Sequence, residues 1–383
     1  MKFVMKNELE IQKFIREHAD WEKLLAEKPY CLNISRDVVC GRDLIMLKYS
    51  QIDSDFGLNI VRECRGLILD GNSFEIVSFP FVKFGNYGES YCPEIDWKSA
   101  HCLQKVDGSL IKIVRLGKML LVSTNGTIDA FKAPVAEQLG CKFKSFGGIV
   151  QYVLDCKGIS CDDFVEGFTY MFELVSPWTR VVIPYSKENL FFLGVRDNTS
   201  FKEQLPYDHP FAERFDVPSR YSLHSVDECL AAAKALPWDD EGYVVVDKHF
   251  NRVKIKSPAW LGVHHLKGEN GVMSIRRAID IVRANEIDEI CSYFEEFRDA
   301  LVECKDKFCK AVADVEGRWV KFLEAEDAGQ FSCRKDQALY IQKEFKQFSG
   351  IAFALLDGKV ESVKAWFYMI PSDKAAKILG YKE

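Results

Sequence analysis

No apolar run in the 383-residue sequence is long enough to cross a bilayer as a helix, so a membrane partner is not expected. The first residues form a charged amphipathic stretch and not a signal peptide. Positive charge is not in excess either. Lys and Arg number 51 against 57 Asp and Glu, leaving a formal net charge of −6. That excludes a global polycation, so any nucleic-acid site has to be a local basic patch. Zinc-finger spacing is missing as well. None of the 13 cysteines forms Cys-x-x-Cys, and Cys156/Cys161 and Cys304/Cys309 have no histidines at zinc spacing. The thiols read as reduced packing residues of a cytoplasmic protein. What is present is an ordinary globular composition, 48% hydrophobic and 28% charged. The length suits two or three domains with ample core.

Apolar spacing predicts a helix over residues 7–27 and strand-like structure over 30–49, with Leu44–Leu47 as a buried run. Residues 62–70 read as a strand entered through Arg65-Gly66, and 74–79 as a second strand. Ser109–Arg115 and Met119–Thr124 alternate around a Leu116-Gly117 turn. Residues 130–157 are more helical and irregular. Phe168–Val175 is an apolar strand carrying one acid, Glu173, and a further strand covers 190–195. A carboxylate inside such a run is costly unless it is paired, bonded, on a metal, or facing water at a sheet edge. A helix is expected at 226–236. Glu241-Gly242 then leads into another apolar strand, followed by Arg252–Ser257. Lys254 and Lys256 lie two apart and so share one face of their strand, which suits a polyanion or a solvated face. Beyond Gly271 the pattern changes. One long helix over 287–322, a second over 337–356 and a third over 360–369 are expected, with no period-2 strands. The expected fold class is α+β. Antiparallel sheets with flanking helices fill residues 1–265, and an all-helical domain fills 266–383, with the boundary near 258–272.

Lys105-Val106-Asp107-Gly108-Ser109 fits a lysine nucleophile in a tight turn. The string alone fits a hairpin turn with an exposed lysine equally well. Its company decides more. Arg65, Lys83, Lys105, Glu173, Glu241, Lys254 and Lys256 each lie on or beside a strand. Several cations suit a triphosphate. Carboxylates suit a metal that bridges its oxygens, and neighbouring cations ease the deprotonation of a nucleophilic lysine.

This ordered set resembles the covalent nucleotidyltransferases, the ligases and capping enzymes, and most closely the T4 RNA ligase 1 family. The carrying residues are Glu63–Gly66, Lys83-Phe84, Lys105–Leu110, Phe172–Pro177, Glu241–Val244 and Lys254–Ser257, and the likeness spans roughly residues 45–265. The resemblance implies an ATP-dependent RNA ligase acting in RNA repair, tRNA repair included. Its cofactors would be ATP and Mg²⁺, with Mn²⁺ as a substitute. Its partner would be single-stranded or nicked-loop RNA, tRNA among the candidates. Lys105 would attack the α-phosphate of ATP and hold AMP as a phosphoramidate. AMP would pass to an RNA 5′-phosphate, and a 3′-hydroxyl would displace it. Lys254 would neutralise the α-phosphate, helped by Lys256. Arg65 and Lys83 would hold the outer phosphates. Glu173 would contact the ribose or a metal-bound water, and Glu241 would join it at the metal. Tyr49 is a further ATP-contact candidate, and Val244 and Phe172 would pack near the adenine. One departure stands out, since Asn125 occupies the place of a family lysine.

Related enzymes, the DNA ligases and mRNA guanylyltransferases, follow the paired-lysine strand with a β-barrel domain, where this sequence has a helical seam. A non-catalytic RNA-binding protein on a ligase fold is the reading from another class. The helical domain is either an RNA-specificity module or a structural brace, and its Lys305, Lys307, Lys310 and Lys335 suit a solvated face as readily as RNA.

Overall fold

The apolar run Leu44–Leu47 has no polar alternation because both faces of its strand are covered. In the computed structural model, which describes residues 7–136, 140–262 and 273–381, this run lies in β2 (Arg42–Tyr49). With β1 (Leu32–Val39), β3 (Arg65–Asp70) and β4 (Ile76–Ser78) it makes an antiparallel sheet in the order β1-β2-β3-β4. Ile45 and Leu47 meet Ile11, Ile15, Trp21 and Leu25 of α1 (Glu10–Glu17) and α2 (Trp21–Ala26). Leu44 and Met46 face the other way, onto Val114 and Leu121 of the second sheet.

The second sheet comprises β6 (Ser109–Leu116), β7 (Met119–Thr124), β8 (Phe168–Val175), β9 (Asn189–Asp197) and β10 (Glu203–Gln204), ordered β10-β9-β8-β6-β7. Helix α4 (Phe146–Cys156) buries Ile149, Val150, Val153 and Leu154 against its far face, among Ile111, Ile113, Tyr170 and Phe172. A third sheet, β11-β5-β12-β13, is built from β5 (His101–Gln104), β11 (Arg220–Tyr221), β12 (Gly242–Val246) and β13 (Arg252–Lys256). Cys229 and Ala233 of α5 (Val226–Lys234) seal it. Helix α6 (Pro258–Leu261) follows, its first turn capped by the Ser257 hydroxyl.

Two sequence expectations in this part are corrected. The helix expected over 7–27 is split, because His18 adopts extended backbone between α1 and α2. Arg62 and Glu63, expected to open a strand, end a short helix α3 (Asn59–Glu63) instead. The Glu63 carboxylate accepts hydrogen bonds from the Glu10 and Ile11 amides, 3.2 and 3.0 Å away. It thus satisfies the free N–H groups at the start of α1.

The chain divides into two compact units, Met1–His264 and His265–Glu383. Residues 263–272, within the expected boundary, lie outside the described residues. The second unit contains α7 (Ile275–Ala284), α8 (Ile287–Tyr293), α9 (Arg298–Asp327), α10 (Arg334–Phe345), α11 (Ser349–Leu356), α12 (Val363–Met369) and α13 (Ser372–Ile378). No strand occurs among its described residues. The seam of α9 buries Leu301, Cys304, Phe308, Val315 and Phe322. The single helix expected over 287–322 is interrupted at Phe294 (φ −137°, ψ 70°), which separates α8 from α9. The helix expected over 337–356 breaks at Lys346, whose φ is +49°. No helix among the described residues is long and apolar enough to cross a membrane.

One buried ion cluster ties the second sheet to the third. Glu203 of β10 pairs with Arg196 of β9 and, at 2.6 Å, with Arg252 of β13, and all three side chains are nearly inaccessible. Glu203→Ala would strand two buried guanidinium groups. The expected loss is about 3–5 kcal/mol, read as a lower denaturant midpoint.

Candidate active site

Lys105 sits between β5 and β6, and its backbone amide donates to the Gly242 carbonyl at 2.8 Å. The turn is held from within the Lys-x-Asp-Gly string itself. Asp107 is buried, and one carboxylate oxygen accepts from the Val182 and Ile183 amides at 2.9 and 2.7 Å. Gly108 allows β6 to reach β8, since a Cβ there would lie 2.4 Å from the Leu174 carbonyl oxygen. Gly242 combines a φ of +131° with a would-be Cβ only 2.2 Å from the Ile255 carbonyl oxygen. No other residue type fits that position.

These constraints bring the Lys105 ammonium to 2.6 Å from Glu241 Oε1. The second Glu241 oxygen is buried and has no hydrogen-bond partner. Lys105, Arg65, Glu173 and Lys254 line a cavity of about 320 Å³, together with Phe84, Val244 and Asn125. Glu173 enters it from β8, opposite Leu110 of β6. Burial pushes the Glu173 carboxyl up to about 7; Lys105 opposes that rise and Glu241 adds to it. Lys254 enters from β13, with its ammonium 5.1 Å from the Phe84 ring centre. Arg65 lies over the same ring, also at 5.1 Å. Burial holds the Lys254 ammonium well below the usual lysine range, and Lys83, Arg65, Lys256 and Lys105 push it the same way.

The remaining expected residues sit around this cavity. Lys83 is buried beneath a group of rings, 4.7 Å from Phe56 and 5.3 Å from Tyr49, and bonds Gln51 Oε1 at 3.2 Å. Tyr49 is buried; burial raises its phenol above the ordinary value, and the nearby Arg65 opposes that rise. Lys256 does not line the cavity; its ammonium lies 5.2 Å from the Trp260 ring centre. Phe172 is a correction. It was expected near an adenine, but side chains alternate along β8, so while Glu173 faces the cavity Phe172 packs with Phe192 and Phe215 on the far side. A residue the sequence reading missed is Lys112, wholly buried on β6 next to this site. Its signal was a lysine on the strand face otherwise occupied by Leu110 and Val114.

Residues 63–260, just over half of the chain, match the sequence profile of the RNA ligase family. The chain belongs to that family. Its RNA ligase relatives include a protein of Autographa californica nuclear polyhedrosis virus named as a bifunctional polynucleotide kinase/RNA ligase. That protein is 28% identical over 79% of this chain and 47% of its own length. An RNA ligase of Thermovibrio ammonificans is 27% identical, over 60% of each chain. The chain therefore spans about half to three fifths of the length of these curated relatives. Among solved structures, an archaeal ATP-dependent RNA ligase superposes with a TM-score of 0.45 at 12% identity, covering 73% of this chain and 68% of its own.

Among the described residues no group of three or more His, Cys, Asp or Glu gathers for a metal. Glu173 on the cavity wall and Glu241 beside Lys105 still suit a hard cation that takes the rest of its shell from phosphate oxygens. Glu241 has an unused buried oxygen for it, and a dication beside Glu173 would offset the burial that keeps its proton on.

The Glu173 shift has a sign that can be tested. Its folded value lies above the ordinary 4.5. The folded state therefore holds the proton longer, and stability falls as pH rises from about 4.5 through about 7. Glu173→Gln should flatten that slope and melt above the parent at pH 8, as followed by thermal melts across pH without metal or nucleotide.

Proposed function

We propose that this chain is an ATP-dependent RNA ligase that joins an RNA 5′-phosphate to a 3′-hydroxyl. The observation that carries the reading is the Lys105 ammonium on the wall of a cation-lined cavity, in contact with Glu241, within a chain of the RNA ligase family. Lys105 leaves its ion pair, gives up a proton and attacks the α-phosphorus of ATP. A P–N bond forms, the bond from that phosphorus to its bridging oxygen breaks, and pyrophosphate departs. An RNA 5′-phosphate oxygen then attacks the same phosphorus, and the P–N bond breaks to restore Lys105. Finally a 3′-hydroxyl attacks the RNA 5′-phosphorus, AMP leaves and a phosphodiester remains.

The side chains divide this work by position. Lys254 neutralises the α-phosphate, and Lys256 assists from farther along β13. Arg65 and Lys83 hold the outer phosphates, with Tyr49 beside Arg65. Val244 packs against the adenine from the cavity wall. Glu173 and Glu241 hold Mg²⁺, for which Mn²⁺ can substitute, and the bound ion neutralises phosphate charge. Residues 1–265 form the adenylyltransferase domain. Residues 266–383 select the RNA, and the biological task is RNA repair, tRNA included.

Incubation with α-labelled ATP and Mg²⁺ should label the protein. Lys105→Ala should abolish the label while leaving the circular dichroism spectrum unchanged. Labelling by GTP alone would overturn the reading in favour of a capping enzyme. A fold that binds RNA but takes no label would mark a non-catalytic binding protein. With a 5′-phosphorylated single-stranded RNA, circles and an AMP-capped intermediate should appear. Truncation after residue 265 should keep the label and lose discrimination among RNAs; unchanged ligation of every substrate would refute the selecting role.

A further inference from the structure

Lys112 is the least expected charge in the molecule. It lies in the middle of β6, opposite Ser123 of β7 and Met171 of β8, and is 0% exposed. A lysine there costs desolvation free energy that a carboxylate normally offsets. Here no carboxylate does so. The charged groups that act on its ammonium are Arg65 of β3 and Lys48 of β2, both cations. Its hydrogen bond goes to the Gly66 carbonyl at 2.5 Å. An ammonium has three donors, so that bond leaves the others available.

Several polar atoms nearby are also unpartnered. Arg65 Nη1 and Asn125 Oδ1 are buried without hydrogen-bond partners, and so is the Ser123 hydroxyl on the same sheet face as Lys112. Arg65 and Asn125 line the cavity that holds Lys105. Gly66 marks where Lys112 and Asn125 converge. It has a φ of +73°, and a Cβ built on it would lie 2.9 Å from the Lys112 ammonium and 3.1 Å from Asn125 Oδ1. The Asn125 amide, turned over, offers N–H donors to the same spot. A buried ammonium with no carboxylate acting on it and a guanidinium N–H without an acceptor, at one end of a cavity, call for an anion with several oxygens.

We propose that Lys112 is a positioning residue of the polyphosphate subsite, holding positive charge directly behind Arg65 and Asn125. Asn125 brings no charge of its own to that wall, and Lys112 supplies it from the neighbouring strand. The phosphates meet Arg65 and the Asn125 amide, and Lys112 draws them by charge through Gly66. This assignment rests on the ligase reading above.

The test measures the concentration of ATP at half-maximal protein labelling, alongside binding of inorganic tripolyphosphate and of adenosine. Lys112→Met removes charge and donor, whereas Lys112→Gln keeps a donor for the Gly66 carbonyl. Both should need about tenfold more ATP, a difference of roughly 1.4 kcal/mol. Both should lose the stabilisation given by tripolyphosphate and keep adenosine binding. Without ligand they should melt no lower than the parent. Adding Asn125→Lys to either variant should restore the ATP requirement to within about threefold, because the new ammonium reaches the same spot. Weakened adenosine binding, a lowered melting temperature without ligand, or no rescue would assign Lys112 a merely structural role and overturn the proposal. If neither variant folds, the ¹³C signal of the Lys112 side chain in the parent protein is read instead. A shift on adding tripolyphosphate supports the subsite, and an unmoved signal refutes it. A parent chain that takes no label from ATP and binds no tripolyphosphate sinks the ligase reading itself. A labelled parent matched by both variants sinks only the role given to Lys112.

Discussion

Like charge kept away from water is the constraint on which the rest of this structure turns. Arg65, Lys83, Lys105, Lys112 and Lys254 crowd one region of the N-terminal unit, and the acids set among them are Glu173 and Glu241. The depressed ammonium groups of Lys112 and Lys254 record the cost. Such an arrangement does not stabilise a fold. It persists because the sheets around it are secured by other means, and it becomes favourable when an anion arrives.

Those means are apolar and local. The first sheet is covered on both faces, by α1 and α2 on one side and the second sheet on the other. The second sheet has its own helix, α4, and the third has α5. The cavity opens where β5, β6, β8, β12 and β13 come together, and two glycines permit that approach. At Gly108 and Gly242 the backbone of one strand lies where any side chain would clash with the next. The Arg196–Glu203–Arg252 cluster then fixes β13, and with it Lys254, relative to the second sheet.

Much of this was legible from residue order. Alternation gave the β6–β7 hairpin, and apolar runs carrying or entered by one acid gave β8 and β12, with the paired lysines of β13 following. The motif residues Lys105, Arg65, Glu173 and Lys254 do share one cavity. What failed was whatever depended on contacts between distant segments. Glu63 ends a helix because it caps another helix far away in sequence. Phe172 faces away because only the pairing of β8 with β6 says which of two adjacent residues points inward. Phe294 fits the apolar seam of a continuous helix equally well whether the backbone continues or breaks there. Lys112 was passed over because a lysine in a strand reads as solvent-facing, and its burial follows from the sheet that covers it.

The Asp107 carboxylate has a consequence for how such chains are recognised at all. It is committed to two backbone amides of the 182–183 loop, and Gly108 is committed to the close passage of β8. Two of the three defining letters of Lys-x-Asp-Gly therefore record architecture, and only one records chemistry. A descendant that exchanged its lysine would keep the turn and the sheet, and would still be recognised as kin by its pattern. In this fold, ancestry and reactivity are written in adjacent residues and can be lost independently.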